Sequence, residues 1–187
     1  MSKGKIIYLE GVSSSGKTTL VKALQARLPE PFFWLSSDNF WFMAPAPGLF
    51  ENNVIFEKVK SAIINSIKLF SDLGISVIVD IVPVSMSNSM SNFVTALYEC
   101  PILYVNVTCP LEELRRREKE RGDRQIGMGE SQLKWIASHE TYDITVDTHN
   151  NSIEECADKI IEILNYPEKC KAFKTLWSQY AEQADTM

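Results

Sequence analysis

The chain has 187 residues, of which 45% are hydrophobic and 23% are charged, and this balance predicts one soluble globular domain, residues 1–187. A net charge of −5 argues against nucleic acid as a partner, because nucleic-acid-binding surfaces are basic. Apolar runs are too short for a signal peptide or a membrane span, so we expect a cytoplasmic protein without a membrane partner. The four cysteines lack C-x-x-C spacing and are expected to be reduced and mostly buried.

The first predicted strand, residues 5–9, leads into a phosphate-binding loop. Residues 11–18 read G-x-x-x-x-G-K-T, and residues 17–28 follow as a predicted helix. Strand, loop and helix are the context in which this motif cradles phosphates, because its glycines let successive N–H groups point at an anion. The motif therefore predicts nucleotide binding, and a Gly/Ser-rich turn is the less favoured interpretation.

Strands and helices alternate along the rest of the chain. Further strands are predicted at residues 32–35, 75–80, 102–107 and 144–146. Further helices are predicted at residues 54–73, 91–99, 111–121, 130–139, 152–164 and 168–183. Gly74 is expected to end the 54–73 helix, and residues 43–52 and 122–129 are expected to be a loop and a flexible segment. Such alternation predicts a parallel sheet with helices on both faces.

Three polar features follow strands of this predicted sheet. They are the phosphate-binding loop, Asp38 and Asp80. Because ligands of open α/β sheets bind beyond the carboxyl ends of the strands, we expect all three to face one crevice.

Each aspartate has a catalytic interpretation and a structural one. Together with the Thr18 hydroxyl, Asp80 suits Mg²⁺, and we favour this role over a helix cap or an arginine partner. Asp38 precedes several aromatic residues and suits a base that accepts a hydroxyl proton, but it equally suits a helix N-cap. Both interpretations of Asp38 stay open at this point.

Arginines on the 111–121 helix and beyond it supply the cations that phosphoryl transfer needs. Arg117, Arg121 and Arg124 are spaced as one helical stripe that runs into Gly122, and they predict a lid at about residues 117–130. The alternative is a solvated face paired with glutamates, which we assign to Arg115 and Arg116.

Several blocks of the sequence resemble the chloramphenicol phosphotransferase family. They are the serine-rich loop at 11–18, Leu28-Pro29-Glu30-Pro31, the strand ends at Asp38 and Asp80, Arg117, Arg121-Gly122-Asp123-Arg124, Gly127-Met128, His139-Glu140, Tyr142-Asp143, Val146-Asp147-Thr148 and residues 152–157. The resemblance implies an adenylate-kinase-like P-loop NTPase fold, that is, a three-layer α/β/α domain with a five-stranded parallel sheet of order 2-3-1-4-5 and an Arg-bearing lid. It also implies an ATP-dependent kinase that phosphorylates a hydroxyl of a small molecule.

The phosphate-binding motif, the strand ends and the resemblance together imply roles for individual residues. The catalytic residues would be Asp38 as the base, Lys17, Arg121 and Arg124. The ATP-binding residues would be Gly11, Ser13, Ser14, Ser15, Gly16, Lys17, Thr18, Thr19, Arg117 and Thr148, with Arg117 near the adenine or the phosphates. The Mg²⁺ ligands would be Thr18 and Asp80.

Residues 41–60 depart from the family pattern, and this is where the acceptor should lie. We therefore expect chloramphenicol, and hence antibiotic inactivation, or another small hydroxyl compound as the substrate. The alternatives are a shikimate-, gluconate- or nucleoside-type kinase and a non-catalytic ATP-binding module. A GTPase is excluded because the chain has no Asn-Lys-x-Asp motif.

Overall fold

In the computed structural model, residues 2–43, 53–82, 89–122, 126–136 and 141–184 are described. The strands are β1 (Ile6–Glu10), β2 (Phe33–Ser36), β3 (Val77–Ile81), β4 (Ile102–Thr108) and β5 (Ile144–Asp147). The helices are α1 (Lys17–Arg27), α2 (Ser37–Phe42), α3 (Asn53–Asp72), α4 (Ser89–Leu97), α5 (Leu111–Arg121), α6 (Met128–Ile136), α7 (Ile153–Leu164) and α8 (Ala172–Ala184). A short 3₁₀-helix, Pro167–Lys169, precedes α8.

The five strands form one parallel sheet in the order β2-β3-β1-β4-β5, as predicted. β1 is central and buried throughout, as its uninterrupted apolar run indicates. In the register of the sheet, Asp80 of β3 pairs with Leu9 of β1 on one side and with Ser36 of β2 on the other. The carboxyl ends of these three strands therefore lie side by side.

Alternate residues of β1 pack on opposite faces of the sheet. Ile6 and Tyr8 join a cluster built from α3, α4 and α8, whereas Ile7 and Leu9 join a cluster built from α1 and α7. This arrangement gives the three layers expected from the sequence. All four cysteines are free, and three of them are buried.

Gly74 ends α3, as predicted. It has φ of 80°, and its N–H donates to the Ser71 carbonyl at 2.9 Å while the Ile75 N–H donates to the Phe70 carbonyl at 2.9 Å. This pair of bonds is a Schellman motif, which requires a left-handed residue that glycine supplies at low cost.

The predicted start of the last helix is wrong. The helix predicted from residue 168 begins at Ala172, because the chain first makes the 3₁₀ turn that Pro167 starts. Asp143 then accepts hydrogen bonds from the backbone N–H groups of Lys171 (2.7 Å) and Ala172 (2.8 Å), which otherwise have no helical partner.

Within the described ranges, no helix has the length and apolar character that crossing a membrane requires. Most of the loop predicted at residues 43–52 lies outside the described residues, and so does Arg124.

Candidate active site

The phosphate-binding loop occupies the turn between β1 and α1, and its glycines are sterically required. A Cβ on Gly11 would lie 2.6 Å from the Val107 carbonyl oxygen. Gly16 has φ of 97°, and a Cβ there would lie 3.3 Å from the Thr148 side chain. The loop is therefore wrapped tightly against β4 and the segment that follows β5.

Lys17 lies inside this loop. Its ammonium group donates to the carbonyl oxygens of Gly11 (2.9 Å) and Val12 (3.0 Å), and it lies 3.9 Å from Asp80 Oδ1. Lys17 and Asp80 are both buried, so the ammonium group of the loop is held next to the carboxyl group at the end of β3.

Thr18 and Asp80 place two oxygen atoms that could be metal ligands side by side. The Thr18 hydroxyl donates to Asp80 Oδ2 at 3.1 Å. Mg²⁺ takes oxygen ligands and usually keeps several waters, so two protein oxygens suit it when phosphate oxygens complete the shell. Across the part of the chain that the structure describes, no group of three or more His, Cys, Asp or Glu side chains could hold a metal ion.

Asp38 is not the N-cap of α2. The cap is Ser36, whose side chain accepts a hydrogen bond from the Asp38 N–H at 3.3 Å. Sequence analysis did not predict α2, although it left open that Asp38 caps a helix. With the capping interpretation removed, the Asp38 side chain is left as a half-buried group on the wall of a cavity.

This cavity has a volume of about 550 Å³ and lies beyond the carboxyl ends of the strands. The predicted site residues that line it are Ser13, Ser14, Gly16, Lys17, Thr18, Thr19, Asp38, Asp80, Arg117, Arg121 and Thr148. Gly11 and Ser15 support the loop without lining the cavity. The predicted convergence of the loop, Asp38 and Asp80 on one crevice is therefore confirmed.

One wall of the cavity is aromatic. Trp41 of α2 lines the cavity and stacks on Phe56 of α3, with ring centroids 4.9 Å apart and planes 9° from parallel. Val82, just after β3, adds apolar surface to the lining. Trp41 thus places an aromatic surface in the same cavity as Asp38.

Arg117 joins α5 to the phosphate-binding loop and to the segment after β5. Its guanidinium donates to the Thr148 hydroxyl (3.1 Å), the Thr148 carbonyl (2.9 Å) and the Ser14 carbonyl (3.4 Å). The Thr148 hydroxyl in turn donates to the Ser15 carbonyl at 2.6 Å. Arg117 also pairs with Glu113, whose pKa is lowered to about 2 by hydrogen bonds from Arg116 first and Arg117 second.

The other arginines of α5 divide as the sequence predicted. Arg121 lies in the last turn of α5 and lines the cavity. Arg115 and Arg116 are exposed and form ion pairs with glutamates, which lie at positions 130, 113 and 120.

Sequence analysis did not identify Glu118 and Gln132, which connect α5 and α6 to the loop. The buried Glu118 carboxylate accepts hydrogen bonds from the N–H groups of Gly127 (2.8 Å) and Gly129 (2.7 Å). These bonds cap α6, which therefore begins at Met128 and not at residue 130 as predicted. Gln132 Oε1 accepts from the Ser13 N–H at 2.6 Å. Because these partners are far apart in sequence, no local pattern signals them.

Glu10 is a second residue that sequence analysis did not identify. It ends β1 directly before the loop, is 2% exposed, and accepts a hydrogen bond from the Tyr104 hydroxyl. Burial raises the pKa of Glu10 to about 7, against the lowering effects of hydrogen bonds from Tyr104 and Tyr142 and of the Lys17 charge. A signal was available, because an acid at the end of an apolar strand was the feature that singled out Asp80.

Comparison with known proteins places this site among phosphotransferases. A Mycobacterium tuberculosis protein provisionally named an O-phosphotransferase is 28% identical, and the similarity covers 87% of this chain and 83% of that protein. An adenylyl-sulfate kinase of Clostridium acetobutylicum is also 28% identical, over 87% of this chain and 84% of its own.

Structural similarity supports the fold. The APS kinase of Mycobacterium tuberculosis, solved with AMPPNP and APS, superimposes with a TM-score of 0.67 at 18% identity and covers 88% of this chain and 99% of its own. The model of the chloramphenicol phosphotransferase-like protein family matches residues 4–165. Since this match spans most of the chain and agrees with the fold and the site, the protein belongs to the chloramphenicol phosphotransferase-like family and is a kinase-like P-loop phosphotransferase.

Proposed function

We propose that the protein is an ATP-dependent O-phosphotransferase that transfers the γ-phosphate to a hydroxyl group of a small molecule. The observation that carries this proposal is the single cavity lined by the phosphate-binding loop, Asp80 and Asp38. A phosphate cradle, a metal site and a carboxylate base are the parts that this reaction needs in one place.

The residues at the donor end of the cavity fit ATP and Mg²⁺. Ser14 lines the cavity, and its buried Oγ has no hydrogen-bond partner among the described residues, although such groups are nearly always paired. Its position in the loop suits an anion with many acceptor oxygens. Lys17 would bind the β- and γ-phosphates, while Thr18 and Asp80 would hold the metal, Asp80 either directly or through water. Bound Mg²⁺ would neutralise charge on the phosphate oxygens.

At the acceptor end, Asp38 would receive the proton of the substrate hydroxyl as the oxygen attacks phosphorus. A carboxylate in this role must lie within hydrogen-bond reach of that hydroxyl, and the place of Asp38 on the cavity wall allows this. Arg121, with Arg124, would spread the charge that develops on the transferred group. Trp41 offers the acceptor an apolar, flat surface.

Chloramphenicol is the first acceptor to test, because the family is named for its phosphorylation. Adenylyl sulfate is the second candidate acceptor, because a relative that is 28% identical over 87% of this chain is an adenylyl-sulfate kinase. Residues 41–60 depart from the family pattern, so another hydroxylated metabolite is the third candidate. If chloramphenicol is the acceptor, the protein inactivates an antibiotic.

The experiment measures ATP turnover with Mg²⁺ against amphenicols, adenylyl sulfate, shikimate, gluconate and nucleosides, with mass detection of a phosphorylated product. Product from any acceptor supports the proposal, and the acceptor with the highest kcat/KM identifies the substrate class. ATP binding without product from any acceptor would overturn it in favour of a non-catalytic ATP-binding module.

A variant tests the base. With an accepted substrate, Asp38→Asn keeps the shape of the side chain and removes the proton acceptor, so kcat should fall by about 10²- to 10⁴-fold. Asn39→Ala, at the exposed neighbouring position of α2, is the matched control and should change kcat little. An unchanged kcat in Asp38→Asn would exclude the base role.

A further inference from the structure

We propose that Gln132 of α6 is a binding residue for the terminal phosphoryl group of the bound nucleotide, with its carboxamide held in orientation by the Ser13 N–H. This inference rests on the proposed function, because it presumes that the cavity binds ATP. Gln132 is not part of the G-x-x-x-x-G-K-T motif, and it lies 119 positions from its hydrogen-bond partner, Ser13.

The orientation of the carboxamide follows from its hydrogen bond. The Ser13 N–H can only donate, so the atom 2.6 Å from it is the oxygen of the Gln132 side chain and the Nε2 group lies on the other side. Among the described residues, this bond to Ser13 is the only hydrogen bond that the Gln132 side chain makes. Its two Nε2 hydrogens are thus available to an acceptor within the cavity, which Gln132 lines together with Ser13.

α6 is held close enough to the loop for this contact. A Cβ on Gly129 would lie 2.9 Å from the Ser13 carbonyl oxygen, so only a glycine lets the first turn of α6 approach the loop this closely. Gly129 and Gln132 are three residues apart and share one face of the helix, with Met128 four residues before Gln132 also lining the cavity.

A buried carboxylate of α5 holds the start of α6, and an exposed ion pair adds a second contact between the two helices. Glu118 is 1% exposed and binds the N–H groups of Gly127 and Gly129, which are at the start of the helix. Glu130 pairs with Arg115 of α5 through the guanidinium Nη2 at 2.8 Å. The Gln132 amide is therefore presented from a helix that is anchored at its first turn, which gives a defined direction to the Nε2 donors.

The expected ligand atom is an oxygen of the phosphoryl group at the end of the chain. The loop N–H groups and Lys17 would hold the phosphates from the loop itself, whereas Gln132 contacts the loop at Ser13 from a separate helix, α6. A neutral amide donor at this position would favour a triphosphate over a diphosphate, because its hydrogen bond to an anionic oxygen is lost with the terminal group.

The test measures the Kd of Mg²⁺ with AMPPNP and the Kd of Mg²⁺ with ADP, by calorimetry, for the parent chain and Gln132→Ala. One hydrogen bond to a charged group predicts a loss of AMPPNP affinity of about tenfold or more and a change of less than about twofold for ADP. Gln132→Glu keeps an oxygen for the Ser13 N–H but replaces the donors with a negative charge, so it should weaken AMPPNP binding further. Ser131→Ala, which changes an exposed side chain of the same helix, is the matched control.

Each outcome decides the inference. Equal losses for AMPPNP and ADP in Gln132→Ala would assign the residue a structural role, and tighter AMPPNP binding would show that the carboxamide competes with the nucleotide. Either result overturns the inference while the parent chain still binds AMPPNP, so the proposed function survives. A parent chain that binds neither nucleotide would overturn both. Thermal unfolding of each variant checks that the fold is retained.

Discussion

Replacement of Glu10 by glutamine should change how the stability of the protein depends on pH. Glu10 is 2% exposed, and burial raises its pKa from 4.5 to about 7. Glu10→Gln keeps the size of the side chain and an oxygen that can accept from Tyr104, but it removes the titrating group. The variant therefore isolates the free energy of ionising one buried carboxyl.

The sign follows from the direction of the shift. Below pH 4.5 the carboxyl is protonated in both the folded and the unfolded chain, so it adds no pH dependence. Between pH 4.5 and pH 7 the folded chain retains a proton that the unfolded chain has released, and the free energy of unfolding falls as the pH rises. A pKa difference of about 2.5 corresponds to about 3 kcal/mol, which is lost by the time the pH exceeds 7.

The assay is urea unfolding of the parent chain and Glu10→Gln at several pH values from 4 to 8. The difference in free energy of unfolding between the two should shift in favour of the variant by about 3 kcal/mol over this range. Glu112→Gln removes a charge from an exposed position of α5 and serves as the control, with an effect within about 0.5 kcal/mol. A difference that stays constant from pH 4 to 8 would refute the reasoning, because Glu10 would then titrate alike in both states.

Two further predictions concern the supports of the cavity. Glu118→Gln leaves one of the Gly127 and Gly129 N–H groups without its acceptor. The free energy of unfolding should therefore fall by about 1–3 kcal/mol in a thermal or urea melt. An unchanged Tm would show that α6 is not held by this carboxylate. Thr148→Val removes the hydroxyl that donates to a loop carbonyl and accepts from Arg117. The affinity for Mg²⁺ with AMPPNP should therefore fall by about tenfold. Equal affinities of the parent chain and the variant would contradict the role of Thr148 in shaping the loop.

Local patterns were sufficient for the five strands and for most of the helices, whereas the order of the strands in the sheet was implied by the family resemblance. Buried parallel strands are continuous apolar runs, so β1, β3 and β4 are visible in the sequence, and the rule that ligands lie beyond carboxyl ends placed Asp38 and Asp80 correctly. Gly74 was found for the same reason, because its left-handed conformation is a local requirement.

The residues that were missed act through tertiary contacts. Glu118 and Gln132 look like ordinary polar positions on amphipathic helices, and only the packing of α5 and α6 against the loop gives them partners. α2 was missed because its capping serine and the residues after it also suit the end of a strand. Glu118 and Gln132 were therefore missed because long-range hydrogen bonds give them their roles, whereas α2 was missed because its local signal is ambiguous.

The hydrogen bond from the Thr148 hydroxyl to the Ser15 carbonyl has a consequence for synthesis of the chain. It joins residues 133 positions apart, so the phosphate-binding loop emerges from the ribosome long before Thr148, which stabilises it. At about 5–20 residues per second, this interval is roughly 7 to 27 seconds. During that time a nascent chain carries the whole motif in its sequence but lacks β5, and for most of the interval also β4, which complete its surroundings. Nucleotide binding should therefore begin only late in synthesis, and a bound nucleotide would then stabilise finished molecules by mass action while unfinished ones gain nothing.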